Sequence, residues 1–103
     1  MSSSVPVLER EWFAIAPDGS EHALVLRVSA AVLHPDGHWS AAASLGVLDS
    51  YPHAIMGMDS WQAVLEAVRF IAGEVSYFEQ QGWRFFWERG GDPATAGDLR
   101  GAI

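Results

Sequence analysis

Apolar and polar side chains alternate through much of the first half of the chain, with the period of a half-buried β-strand. The alternation is clearest in residues 22–34, and a second alternating run covers 38–48. β-forming residues also fill 7–16. The turn sequences PDGS (17–20) and PDG (35–37) separate the three runs. We therefore predict three antiparallel strands joined by two tight turns. In 22–34 the face predicted to be buried carries His22, Leu24, Leu26, Val28, Ala30 and Val32.

A helical period follows from residue 59 onward. Asp59 with Gln62 three residues later is typical of a capped helix start, and Gly82 is placed to end the helix. The interval holds about 22 helical residues, or roughly 33 Å at 1.5 Å per residue. Apolar side chains spaced three or four positions apart predict a core-facing stripe. Its members are Trp61, Val64, Leu65, Val68, Ile71, Ala72, Val75 and Phe78.

The remaining segments complete a predicted α+β domain. Pro52 restricts residues 49–57 to a loop or a short edge strand, and WRFFW (83–87) predicts a short strand that returns to the sheet. Residues 1–6 and the Gly-, Ala- and Asp-rich stretch 88–103 are expected to be flexible or lightly packed. The whole chain, 1–103, is predicted to form a single domain: an antiparallel meander of three to five strands, packed on one long helix and followed by a short strand and a loose tail.

Composition narrows the classes of function. The 103 residues carry 13 acidic and 6 basic side chains, a formal net charge of −7, which disfavours ordinary binding to nucleic acid. An acidic surface can keep a protein soluble, meet a basic protein partner or imitate nucleic acid. The absence of cysteine excludes disulfides, thiol nucleophiles and zinc–thiolate sites. The chain shows no signal-peptide pattern and no apolar run near the ~20 residues of a membrane span, so we expect a cytoplasmic protein.

Four residues of the predicted helix form a candidate partner-binding surface. At about 100° per residue, Phe70 and Tyr77 fall almost opposite the predicted core stripe, with Glu66 and Glu74 beside them. Large aromatic side chains on the outer face of a helix are typical of a dimer seam or a partner contact. The alternatives are that the tail covers them, or that single exposed aromatic residues carry no function.

Metal binding and catalysis have weaker support. His34 and His38 flank the second turn with Asp36 between them, and with His53 they could hold a divalent ion. Exposed histidines are ordinary at hairpin ends, however, and no HExxH or HxH pattern occurs. No nucleophile elbow or phosphate loop is present. We therefore expect no metal, no cofactor and no catalytic residue, and a protein that is not an enzyme.

The segments DSWQAVLEAVRFI (59–71) and QQGWRFFW (80–87) carry a family resemblance. They resemble the C-terminal signature of small bacterial proteins of uncharacterised function, in which a D-S-W-Q-A helix start precedes a glycine and a terminal F-W. The resemblance covers residues 57–87. In size and acidity such proteins are similar to immunity proteins, which neutralise toxins of interbacterial competition. The resemblance implies a protein that binds another protein, without naming the partner.

Two classes of function follow from the sequence. The first is a stoichiometric binding protein, an immunity or inhibitor protein that occludes the surface of a toxin, nuclease or other protein. The second is a small-molecule-binding or enzymatic domain with a pocket between helix and sheet. A homodimer is a third possibility. The residues expected to line or gate such a pocket are Trp12, Trp39, Trp61, Trp87, His34, His38 and His53.

Overall fold

The structure is a computed structural model, and it describes residues 6–100. These residues form an α+β fold with an antiparallel sheet of seven strands, one long helix and one short helix, which confirms the predicted class. A 3₁₀ turn at Gly46–Leu48 precedes the fifth strand. In chain order the elements are β1 (Pro6–Ile15), β2 (Glu21–Ser29), β3 (Val32–Leu33), β4 (Trp39–Ser44), β5 (His53–Gly57), α1 (Ser60–Gln80), β6 (Arg84–Phe86), β7 (Pro93–Ala94) and α2 (Ala96–Arg100).

The strands lie in the order β7–β6–β1–β2–β4–β5, with β3 continuing the line of β2 along β4. Both predicted turns are present, and each uses a glycine in the left-handed region, Gly19 with φ 87° and Gly37 with φ 97°. Residues 49–57 supply the edge strand β5, which begins directly after Pro52. The predicted return strand is β6, which pairs with β1.

A slip of one residue separates β3 from β2. The register of β3 on β4 is shifted by one position from that of β2 on β4, which is the pattern of a β-bulge. The Ser29 hydroxyl is buried beside the slip, where it accepts a hydrogen bond from the Ala42 N–H (2.8 Å) and donates to the Ala30 carbonyl (3.1 Å). The predicted buried face therefore ends at Val28, and Val32 is exposed.

α1 crosses one face of the sheet, mainly over β4 and β5, and small side chains make the contact. The buried helix residues include Ala63 and Ala67, and those of β4 are Ala41 and Ala43. The buried face is rotated from the predicted stripe by roughly 50°, half a residue step. Trp61, predicted to be in the core, is exposed, so that prediction is wrong. Large apolar residues dominate a periodicity, whereas small residues decide where a helix can approach a sheet most closely.

The start of α1 touches β5 backbone to backbone. A Cβ atom built on Gly57 would lie 2.4 Å from the Ala63 nitrogen and 2.7 Å from its Cα. Real side chains do not tolerate such distances, so only glycine allows β5 and α1 to approach this closely. This contact sets where the first turn of the helix stands relative to the sheet edge.

α1 ends in a Schellman motif, which confirms the predicted stop at Gly82. This residue has φ 104°, its N–H donates to the Glu79 carbonyl (3.1 Å), and the Trp83 N–H donates to the Phe78 carbonyl (3.0 Å). The Trp83 ring packs edge-on against Phe78 and stacks on Phe85, with centroids 6.2 and 6.3 Å apart. The cap thus delivers an aromatic strand to the sheet.

Residues 88–100 fold back onto the domain and form a short strand and a short helix, neither of which the sequence predicted. β7 pairs with β6, and α2 packs against α1. Ala94 and Ala96 are buried, 3% and 6% exposed, because their small side chains fit against neighbouring elements. At the other end, Pro6 begins β1. Residues 1–5 and 101–103, which were also expected to be flexible, lie outside the described part of the chain.

Candidate partner-binding surface

Interlocking hydrogen bonds hold the first turn of α1. The Asp59 carboxylate accepts from the Gln62 N–H (2.8 Å), and the Gln62 side-chain oxygen accepts from the Met58 N–H (2.6 Å). This is a variant of the capping box in which the return bond reaches the residue before the cap. It confirms the predicted N-cap. Together with the close contact at Gly57, it fixes the backbone that carries Met58 and Trp61.

The side chains of Met58 and Trp61 are exposed to solvent. Trp61 is 76% exposed and Met58 is 81% exposed. Two shallow hollows meet at Trp61: Val7 and Leu65 border it in one, and Met58 and Leu65 in the other. We refer to Val7, Met58, Trp61 and Leu65 as the Trp61 surface. Val7, Met58 and Trp61 are exposed, and Leu65 is half-buried. Contiguous apolar surface of this kind marks interaction sites, and tryptophan and methionine are enriched in the cores of protein interfaces.

The rim of the Trp61 surface carries two acidic groups and one basic group. Asp59, Glu66 and Arg69 line the same hollow as Met58. Arg69 donates to the Glu66 carboxylate at 2.7 Å, an exposed pair that adds little to stability. Because Asp59 is not in that ion pair, the rim keeps a negative charge, in line with the net charge of −7. Such a rim favours a partner with basic groups around an apolar cleft.

Phe70 does not point away from the core, which corrects the sequence-based prediction. It is half-buried, packs against the core and contacts the His53 ring at a tilt, with ring centroids 4.9 Å apart, because β5 lies beneath this flank of the helix. Tyr77 is 51% exposed and rests edge-on against Phe78. Glu74 is half-buried. The four predicted residues share one flank of α1, but their role in binding a partner stays a prediction.

His34 and His38 lie side by side across their hairpin, as predicted, with ring centroids 5.3 Å apart. Their polar contacts are separate: His34 is hydrogen-bonded to Ser40 and His38 to Asp36, each at 2.7 Å. His53 has a different partner and does not join them. Within residues 6–100, no group of three or more His, Asp or Glu side chains is arranged to hold a metal ion.

The partner of His53 is Asp49, with 2.8 Å between Nε2 and Oδ2. The hydrogen bond with His53, followed by one from the Tyr51 N–H, lowers the pKa of the Asp49 carboxyl group. Because the His53 ring also packs at a tilt against the Phe70 ring, the Asp49–His53 pair links the loop before β5 to the middle of α1. This arrangement is a structural anchor at the sheet edge.

The four tryptophans that were expected to line a pocket, Trp12, Trp39, Trp61 and Trp87, do not line a common one. Trp12 is buried and packs edge-on against Trp87, with ring centroids 5.8 Å apart, whereas Trp61 lies in the exposed surface described above. A half-open cavity of about 180 Å³ does lie between the sheet and the helices, but its walls are mostly aliphatic. Its apolar lining residues are Leu8, Leu26, Val28, Val68, Ile71 and Leu99.

Sequence reasoning missed the Trp61 surface for an identifiable reason. At about 100° per residue, Trp61 falls within the apolar stripe of α1, so the periodicity assigns it to the core. What exposes it is the position of the sheet edge relative to the first helical turn, which no local pattern encodes. A tryptophan two positions after a strong N-cap is the available signal, since a first turn often projects beyond the elements that the helix covers.

Comparison of the chain with known protein families, with curated proteins and with solved structures gives no match. The predicted relation to the family with a D-S-W-Q-A helix start therefore stays a prediction. Within residues 6–100, no helix is both long and apolar enough to cross a membrane.

Proposed function

We propose that the chain is a non-enzymatic protein-binding domain that acts as an immunity or inhibitor protein and occludes the surface of a toxin, nuclease or other protein. The observation that carries this proposal is the exposure of Trp61 and Met58 at a helix start whose backbone is held by Asp59, Gln62 and Gly57. Exposed aromatic anchors on a rigid element are what a binding surface requires.

Rigidity matters because binding opposes conformational entropy. Ordering a mobile side chain at an interface costs about 0.5–1.5 kcal/mol, and a preorganised surface avoids part of that cost. The capped turn holds the backbone of Met58 and Trp61 in place before any partner arrives. Tryptophan adds a large contact area with few rotatable bonds, which is why it recurs as a binding hot spot.

The charge defines the partner more closely. A net charge of −7 and a rim that includes Asp59 and Glu66 favour a protein with a basic surface around an apolar cleft. Opposite potentials speed the encounter, whereas the buried aromatic contact sets the dissociation rate. The association rate is therefore expected to fall as salt is added, with a smaller change in the dissociation rate.

The test compares Trp61→Ser with Tyr51→Ser, because both side chains are 76% exposed and only Trp61 belongs to the proposed surface. Affinity capture and mass spectrometry identify candidate partners, and calorimetry then measures binding of the purified pair. We expect Trp61→Ser to weaken binding by about 30-fold or more, as loss of a hot spot does, and Tyr51→Ser to change it by less than about threefold. Both variants should unfold at the same denaturant concentration as the wild type.

Other outcomes would assign the interface to a different surface or a different partner. Loss of binding in Tyr77→Ser with unchanged binding in Trp61→Ser would move it to the predicted flank of α1 and contradict the proposal. Tyr77→Ser is a cleaner test of that flank than Phe70→Ala, since Phe70 packs against the core. If the wild type sediments as a dimer and Trp61→Ser as a monomer, the partner is a second copy of the chain.

A further inference from the structure

The cavity between the sheet and the helices combines aliphatic walls with one unusual arginine. Leu8, Leu26 and Val28 line it from β1 and β2, and Val68 and Ile71 from α1. Its polar wall consists of Arg10 and the ion pair between Glu9 and Arg27. No residue of the Trp61 surface lines it. At about 180 Å³ it exceeds the engineered cavity of about 150 Å³ that holds a benzene molecule.

Arg10 lacks the carboxylate partner that its neighbours in sequence could supply. Glu9 and Glu11 flank it on β1, but alternate strand residues face opposite sides, and Glu9, which borders the cavity together with Arg27, is paired with Arg27 instead. The Arg10 Nη1 atom is buried, and the protein atoms described place no acceptor within hydrogen-bonding distance of it. Its guanidinium lies 4.8 Å from the centre of the Trp87 ring, a contact that attracts the charge but accepts no conventional hydrogen bond.

A second donor on the same face of β1 has the same deficiency. Trp12, two residues along the strand, is 4% exposed, and its Nε1 atom has no acceptor among the described residues. Its ring also contacts Trp87, so Arg10, Trp12 and Trp87 form one cluster. Buried donors are almost always paired, and the two unpaired donors here, one of which belongs to the cationic Arg10, favour an anionic acceptor.

We infer that this cavity binds a small monocarboxylic acid with an unbranched apolar chain of about six carbons, whose carboxylate pairs with Arg10. The aliphatic walls take the chain, and guanidinium–carboxylate pairing supplies the missing acceptor. Because Nη1 is enclosed by protein, the guanidinium must tip from the Trp87 ring toward the cavity as the carboxylate arrives. Ligand binding should therefore change the surroundings of Trp87 and Trp12 and leave Trp61 unaffected.

The test titrates the full chain with hexanoate and with 1-hexanol, which has the same apolar chain and no charge. Two-dimensional ¹H–¹⁵N spectra follow the indole N–H signals. We expect the signals of Trp12 and Trp87 to shift with hexanoate at a Kd of about 0.1–1 mM, and hexanol to bind at least about tenfold more weakly. This comparison needs no variant, so it holds even if substitutions at Arg10 unfold the protein.

Two variants locate the carboxylate. Arg10→Met keeps a long apolar side chain and removes the charge, and it should weaken hexanoate binding by about tenfold while leaving hexanol unchanged. Arg84→Met is the matched control, since Arg84 is exposed on β6 and does not line the cavity; its affinity for hexanoate should equal that of the wild type.

Several results would overturn the inference. These are equal affinity for hexanoate and hexanol, no shift up to about 20 mM hexanoate, or shifts confined to Trp61. Preferential binding of a short peptide that ends in a leucine carboxylate would assign the cavity to a chain terminus instead. None of these results bears on the protein-binding proposal, which is tested at Trp61 and does not involve the cavity.

Discussion

A tryptophan lies next to each end of α1, but the two have opposite surroundings. Trp83 follows the C-terminal cap and is packed between Phe78 and Phe85, whereas Trp61 follows the N-terminal cap and is 76% exposed. Beyond Gly82 the chain returns to the sheet as β6, which brings Trp83 over the core. At the other end, the first helical turn presents Trp61 beside the hollows rather than over the strands. The aromatic side chains next to α1 therefore pack against the core at its C-terminal end and lie at the surface at its N-terminal end.

The largest effect expected from this contrast is on stability. Phe85→Ala removes a side chain that is 2% exposed and packs against Trp12 and Trp83, and it should lower the free energy of unfolding by about 3–5 kcal/mol. Trp61→Ala, at the exposed end, should change it by less than about 0.5 kcal/mol. Urea denaturation followed by circular dichroism measures both. A loss of more than about 2 kcal/mol in Trp61→Ala would show that Trp61 belongs to the core.

A pair of glycines sharpens the comparison at the N-terminal end. Gly57→Ala places a methyl group against the Ala63 backbone, so we expect a loss of about 2–3 kcal/mol and a displaced first turn. Gly73→Ala is the matched control: no atom lies within 4 Å of its added Cβ, and alanine is the better helix former, so a gain of about 0.5–1 kcal/mol is expected. Thermal unfolding of the two variants should therefore shift in opposite directions; equal shifts would contradict the close contact.

The smallest effect concerns the anchor beneath α1. The pKa of Asp49 is lowered in the folded protein, mainly by its hydrogen bond with His53, so the charged carboxylate stabilises the fold. That contribution is present above the unfolded pKa near 3.8 and is lost as the pH falls through the lower folded value. Asp49→Asn should therefore be slightly less stable than the wild type at pH 6. The two proteins should converge in acid titrations of stability as the pH falls below the folded pKa of Asp49, and a constant difference would exclude the linkage.

Local patterns were sufficient to predict most of the elements, but not β7 or α2. The alternation around Leu24 and the PDG turns identify the hairpin strands, because alternation and turn preference depend on neighbouring residues. The helix limits at Asp59 and Gly82 follow from caps that lie within a few residues of each end. The strand and helix within residues 88–100 were not predicted, because the fit of Ala94 and Ala96 depends on tertiary contacts with β6 and α1. Composition and charge do not reveal such contacts.

The surfaces were harder to predict than the elements. Phe70 was assigned to solvent and Trp61 to the core, and the structure reverses both assignments. The cause is one rotation of α1: the helix meets β4 through Ala63 and Ala67, whose small side chains contribute little to a hydrophobic period. Arg10 was missed because nothing in its local sequence shows that its guanidinium meets Trp87, 77 positions later in the chain.

The sequence by itself determined the strands, the turns, the helix and its caps, since each depends on interactions between residues close in the chain. Only the tertiary structure decided which face of α1 is buried, where the β2–β3 slip falls and which tryptophan is most exposed. Those features depend on contacts between distant segments, such as Gly57 against Ala63 at the first turn and Ala43 of β4 beneath the helix. The close approach of small residues set the position of the first helical turn and left Trp61 exposed.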